Sequence, residues 1–219
     1  MPDHGLGRLY APDPRDANFP MRAALPSAPS TRTYRYWNAN GWWGDQGQTS
    51  QCVAYAWAHW LEDGPVSQRG VAPILNPAAI YHDAQLVDEW PGEDYDGTSV
   101  RAGAKVLKTA GFITEYRWAT KLEEIVAALL DVGPVVVGFS WYQEMFEPDE
   151  AGLIHIGGSL AGGHAFVLDG ISTPHKLIRM KNSWGREWGK NGFAYLAFED
   201  VDHLLQEDGE ACLATEIRK

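Results

Sequence analysis

The sequence predicts an α+β fold in which a helical half is followed by a β half, with a crevice between two lobes as the favoured place for a site. Apolar residues recur at helical spacing through the first part of the chain, and short β-branched and aromatic runs take over after Pro134. The length, 219 residues, suits one large domain or two interlocked lobes and leaves little room for a second independent domain. Apolar residues make up 45% of the chain, with 10 Trp and 9 Tyr, enough aromatic surface to offset the entropy of ordering a packed core.

The elements follow in order. Residues 1–30 carry Pro2, Pro12, Pro14, Pro20, Pro26 and Pro29 without periodicity and read as an extended strap or tail, so the folded body, 31–219, begins near Thr31. From Cys52 to Asp63, Val53, Ala56, Trp57, Trp60 and Leu61 fall on a helical stripe, with Thr49 or Ser50 to cap it and Gly64 to stop it. Cys52 is thereby placed at a helix N-terminus. Further helices are expected from Asn76-Pro77 through Trp90, from Ser99 to Ala110, and over Leu122, Ile125, Val126 and Leu129 before Gly133-Pro134. These complete a helical lobe over about 40–130. The β lobe, about 131–219, is read from the runs at 135–140, 164–171, 176–181, 192–198 and 211–217.

Charge and cysteine count narrow the function. A formal net charge of -11 argues against a general nucleic-acid or anionic-membrane binder, which needs a basic face, and favours basic peptides as partners. No window reaches the roughly 18 apolar residues of a membrane span, and the start lacks the basic and apolar regions of a signal peptide. Cys52 and Cys212 are the only cysteines, too few for a disulfide framework, and no Asn-x-Ser/Thr acceptor occurs. A soluble, cytoplasmic chain is the expectation.

Three motifs carry chemistry. The string from Gln46 to Ala56 places a glutamine six residues before Cys52, whose position at a helix start lowers a thiol pKa. Gly162-Gly163-His164-Ala165-Phe166-Val167 brings a histidine into an apolar strand behind two glycines. The other histidines, His4, His59, His82, His155, His175 and His203, lack that setting and show no zinc spacing. The third motif runs from Lys181-Asn182-Ser183-Trp184-Gly185 through Trp188-Gly189 to Gly192-Phe193.

In this order and spacing the three motifs resemble the papain family of cysteine peptidases, over roughly residues 31–219. The resemblance implies a papain-like two-lobe fold and a peptidase, endo- or aminoacyl-type, that works through an acyl-enzyme. It assigns Cys52 as nucleophile, His164 as base and acid, Asn182 as the group that orients the imidazole, and Gln46 with the Cys52 backbone N–H as the oxyanion donors. Gly97, Gly163 and Trp184 would contact substrate. Glu216 would floor the main specificity pocket and favour Arg, with Ile217 in its place if the register moves by one residue. No metal or organic cofactor is implied, the partner is a peptide or protein substrate, and the chain is expected to be a monomer. The same thioester route serves a transpeptidase or deamidase, and a peptide-binding pseudo-enzyme is the non-catalytic alternative.

Four departures from the family pattern stand out. Thr49 and Ala211 occupy usual disulfide positions, Val53 replaces a frequent Trp, and Tyr95-Asp96-Gly97-Thr98-Ser99 replaces a paired-glycine substrate wall. The family's long inhibitory pro-segment is not expected from the 30-residue start, which is expected to act as a strap on the body, with blocking of the cleft as the alternative.

Overall fold

The computed structural model describes residues 4–37, 42–65, 76–92 and 94–217, and the first three residues of the strap lie outside that set. The elements run β1 (Tyr34–Tyr36), α1 (Cys52–Asp63), α2 (Pro77–Gln85), α3 (Val100–Thr109), β2 (Ile113–Trp118), α4 (Leu122–Asp131), β3 (Val135–Tyr142), β4 (Leu160–Ser172), β5 (Leu177–Lys181), β6 (Phe193–Ala197), α5 (Phe198–Gln206) and β7 (Glu210–Glu216). The strands form an antiparallel sheet of order β2-β7-β3-β4-β5-β6, with β1 also paired to β4.

β3 explains why the molecule has two cores. Its continuous apolar run is buried on both faces, and a strand alternates its side chains between them. Val135, Val137, Phe139 and Trp141 face one core with α4, α5 and the β5–β6 hairpin, whereas Val136 faces the other with α1 and α3. β4 divides the same way, with Phe166 and Leu168 on the first face and Ala165 and Val167 on the second. The sheet is therefore the wall between the lobes. α1 packs against β4 on the second side, with Trp57 and Trp60 wholly buried.

Several expected elements shift for local reasons. α2 stops at Gln85 instead of Trp90, because the Asp88 carboxylate accepts from the Trp90 N–H, the Tyr95 hydroxyl and the Thr98 hydroxyl and folds the following chain into a turn. α3 starts as expected, with Ser99 accepting from the Ala102 N–H as its cap. α4, read from sequence as part of the helical half, buries Ile125, Ala128 and Leu129 in the core on the sheet's other side. Among the described residues no helix is long and apolar enough to cross a membrane.

Candidate active site

α1 begins at Cys52 with Gln51 as its cap position and no side-chain capping bond. The two expected caps do other work or none: the Thr49 hydroxyl donates to the Gln46 carbonyl at 2.7 Å. The first N–H groups of the helix are left free of a cap, as helix starts are when no side chain serves them. Cys52 shares a buried cluster with Ala165 of β4, and the backbone N–H groups of Ala165, Val53 and Cys52 itself favour its thiolate. Ala165 follows His164, so the sulfur lies beside the histidine's own strand.

The hydrogen bonds fix the His164 tautomer. The Asn182 Oδ1 accepts from the Ser183 backbone N–H at 2.8 Å, and a backbone N–H can only donate, which identifies that atom as the oxygen. His164 Nε2 lies 2.8 Å from the same oxygen and must therefore carry the proton. Nδ1 keeps its lone pair; it is buried and has no protein partner. Trp184 stacks on the imidazole with centroids 4.6 Å apart, and Trp141 meets it edge-on at 4.9 Å. The His164–Asn182 bond is thus shielded from water, which strengthens it.

The same logic orients Gln46. Ser183 Oγ donates to its Oε1 at 2.6 Å, leaving Nε2 to donate to the Thr49 carbonyl at 2.7 Å and the Gly5 carbonyl at 3.0 Å. One side-chain N–H is thereby aimed at a main-chain carbonyl in the cleft. Ser183, which sequence reading did not single out, positions both groups, its N–H holding Asn182 and its hydroxyl Gln46.

That carbonyl belongs to the chain's own N-terminus. Residues 4–9 run through the cleft as an extended peptide: the Gly5 N–H donates to the Gly47 carbonyl, the Gly7 and Arg8 N–H groups to the Gly163 carbonyl, and the Leu9 N–H to the Thr98 carbonyl. The Thr98 N–H donates back to the Gly7 carbonyl at 3.0 Å. Trp184 Nε1 donates to the Gly5 carbonyl at 3.2 Å, and His4 stacks on the outer face of the indole at 4.6 Å. Gly97 and Gly163 permit this closeness, since a Cβ on Gly97 would overlap the Gly7 carbonyl and one on Gly163 the Arg8 carbonyl. Gly97 also has φ +103, a conformation that favours glycine. Of the sequence-expected contacts, Gly163 and Trp184 hold peptide main chain by hydrogen bonds and Gly97 by close approach. The hydrogen bonds of that wall come from Thr98.

The segment changes the electrostatics of the pair. The helix start led to the expectation of a lowered thiol pKa, but Cys52 and His164 are wholly buried beneath the covered cleft. Burial pushes the Cys52 thiol up to about 12, against the smaller pull of the backbone N–H groups and Arg8. Burial likewise holds His164 down to about 4, with the Asn182 bond opposing it and His4 adding to it. The covered site rests as neutral thiol and neutral imidazole.

Glu216 is not in the cleft, and neither is Ile217. Glu216 lies beside Gly64, just past the far end of α1, about 18 Å along that helix from Cys52. Ile217 bonds through its N–H to the Phe112 carbonyl in the same region. The reason is pairing: β7 meets β3 only over Glu210–Cys212 and then leaves to pair with β2 as far as Ile113. The acid at the cleft is Glu210, at the other end of the strand, whose Oε1 accepts from Arg8 Nε at 3.3 Å. Both side chains are buried. Sequence reading missed Glu210 because which end of β7 reaches the cleft is set by its pairing with β3 and β2.

Fold and site together define a class, a two-lobed α+β protein with a cysteine–histidine–asparagine constellation in its cleft. Comparison gives the family. The description "Papain family cysteine protease" matches residues 45–209, and the chain belongs to the papain family of cysteine proteases. A peptidase C1-like protein of Acanthamoeba polyphaga mimivirus, itself uncharacterized, is 24% identical over 209 residues, covering 75% of this chain and 67% of its own. Cathepsin B-like cysteine proteinase 6 of Caenorhabditis elegans is 27% identical over 171 residues, 70% of this chain and 45% of the nematode protein, so the chain spans less than half of that relative. Among solved structures, xylellain, a cysteine protease from Xylella fastidiosa, aligns with a TM-score of 0.76 at 20% identity over 98% of both chains, a likeness of fold.

Proposed function

We propose that the chain is a cysteine peptidase that hydrolyses peptide bonds through an acyl-enzyme on Cys52, and that residues 4–9 cover its cleft at rest. The observation that carries the reading is the tautomer of His164, proton on Nε2 toward Asn182 and lone pair on Nδ1, on the strand against which the Cys52 sulfur lies.

In this mechanism Nδ1 takes the Sγ proton and the sulfur attacks the scissile carbonyl carbon. The oxyanion receives the Gln46 Nε2–H and the Cys52 backbone N–H, and loss of one such donor costs about 10²–10³ in rate. Nδ1–H then passes its proton to the leaving amine as the C–N bond breaks. Water, deprotonated by the same nitrogen, attacks the thioester and frees Cys52 as thiol.

A substrate has to displace the segment first. Seven hydrogen bonds hold its main chain, contributing about 0.5–1.5 kcal/mol each. Ordering six residues costs about 1–2 kcal/mol per residue, so the two sums nearly cancel. Side-chain anchors at His4 and Arg8 therefore decide whether the cleft is open or covered.

A mixed peptide library incubated with the full chain, with cleavage sites read by mass spectrometry, tests the activity. New termini should appear with the wild type and be absent with Cys52→Ser at unchanged circular dichroism. Cleavage by the serine variant at a comparable rate would sink the mechanism.

A further inference from the structure

Besides His164, His59 is the only wholly buried histidine among the described residues. It lies on α1 seven residues after Cys52, two helical turns along the same face and about 10 Å from the helix start. Its Nε2 is 3.0 Å from the Gly44 backbone nitrogen, and a backbone N–H can only donate, so Nε2 carries the lone pair and Nδ1 the proton. Burial holds the imidazole well below its ordinary pKa, with the Lys181 ammonium adding to it, and the lone pair therefore persists through neutral pH. Nδ1 is buried and has no hydrogen-bond partner among the described residues. A ring that only filled space would do so at less cost without that N–H, so the lone pair on Nε2 is the feature that needs a histidine.

Gly44 opens the stretch that carries Gln46, which lies outside the helices and strands. Trp42 and Trp43 pack on the imidazole with centroids at 4.9 and 5.9 Å, and a Cβ on Gly44 would stand 2.4 Å from the Tyr55 ring of α1. Two residues on, the Gln46 N–H donates to the Ser183 carbonyl at 2.8 Å. The stretch is thus pinned at one end to α1 and at the other to the chain that follows β5. We propose, resting on the peptidase reading, that His59 is a positioning residue for the oxyanion site: by accepting from Gly44 it ties the Gln46 stretch to the helix that begins with Cys52. The two oxyanion donors, the Gln46 Nε2–H and the Cys52 N–H, are thereby referred to one rigid element. Ser183 orients the Gln46 amide, and His59 sets where its main chain stands against α1. Without the acceptor, the Gly44 N–H is a buried donor lacking a partner, and the stretch shifts to satisfy it.

The test compares His59→Gln with His59→Asn in the full chain, each with and without Gln46→Ala. The glutamine oxygen reaches close to the place of Nε2, whereas the shorter asparagine leaves Gly44 without its acceptor. If His59→Asn does not fold, His59→Phe takes its place, keeping the volume of the ring without the lone pair. Kinetics on a peptide that the wild type cuts are read beside hydrogen–deuterium exchange over Trp43 to Gly47. In His59→Asn, kcat should fall about tenfold or more with KM within about twofold, and His59→Gln should keep most of the wild-type kcat. Beside Gln46→Ala, the asparagine should change kcat by less than about twofold, because the donor it displaces is gone. Exchange should quicken in His59→Asn and stay near wild type in His59→Gln. Equal kcat in the two His59 variants, or an undiminished loss beside Gln46→Ala, would reduce His59 to packing and overturn the proposal. If the wild type cuts no peptide, the peptidase reading fails and exchange alone decides: faster exchange in His59→Asn than in His59→Gln upholds the tie, and equal exchange overturns it.

Discussion

The proposed catalytic constellation and the segment that covers it are held by opposite kinds of contact. Cys52, His164, Asn182 and Gln46 act through side chains, each placed by a separate element and locked by specific partners. Residues 4–9 act mostly through main chain, with glycine at 5 and 7 and with Gly97 and Gly163 facing them. Side-chain chemistry demands particular residues and leaves a motif. Main-chain docking demands only small residues and a free backbone, and leaves almost none.

Substitutions within the constellation should give the largest effects. His164→Ala removes the group that accepts and donates the proton, whereas Asn182→Ala leaves it present but free to turn. We expect Asn182→Ala to retain at least about tenfold more kcat than His164→Ala, measured on any peptide the wild type cuts. Equal losses would mean that Asn182 does more than orient the ring.

A second effect is on stability. His164 titrates near 4 when folded and near 6.5 when unfolded, so between those values the unfolded chain binds the extra proton. Stability from this group is complete above pH 6.5 and is lost as pH falls toward 4. The full loss is about 3 kcal/mol at 1.36 kcal/mol per pKa difference of one. His59, also buried and held below its ordinary value, adds in the same direction. Urea melts of the wild type and His164→Gln across this range should diverge, with the variant the less acid-sensitive. Parallel curves would place the imidazole in contact with water and break the contrast between a dry constellation and its cover.

The same contrast explains what the sequence made legible. α1, α3, β3 and β4 follow from apolar spacing because each buries a regular stripe or both faces. The four proposed catalytic positions stood out because side-chain chemistry of that kind leaves a motif. α5 and β2 were missed, since FEDVDHLLQ and ITEYRW mix polar and apolar residues and owe their form to packing against α4 and to pairing with β7. Glu210 was hidden for a related reason. Which end of β7 reaches the cleft is set by its partners β3 and β2, far away in sequence. The N-terminal strap was legible as extended by its prolines, but where it lies depends on acceptors at Gly47, Thr98 and Gly163 that carry no signature of their own.

The central claim is that Cys52 is a catalytic thiol kept inert by a cover that Arg8 anchors. Intact-mass measurement of iodoacetamide alkylation across pH tests it most directly, with Cys52→Ser as the control because Cys212 is the only other cysteine and is also buried. The account predicts slow labelling in the wild type, in keeping with a buried thiol pushed up to about 12, and labelling at Cys52 at least about tenfold faster in Arg8→Ala, with its onset moved to lower pH. Equal rates in the two proteins, or fast labelling of the wild type at neutral pH, would contradict it.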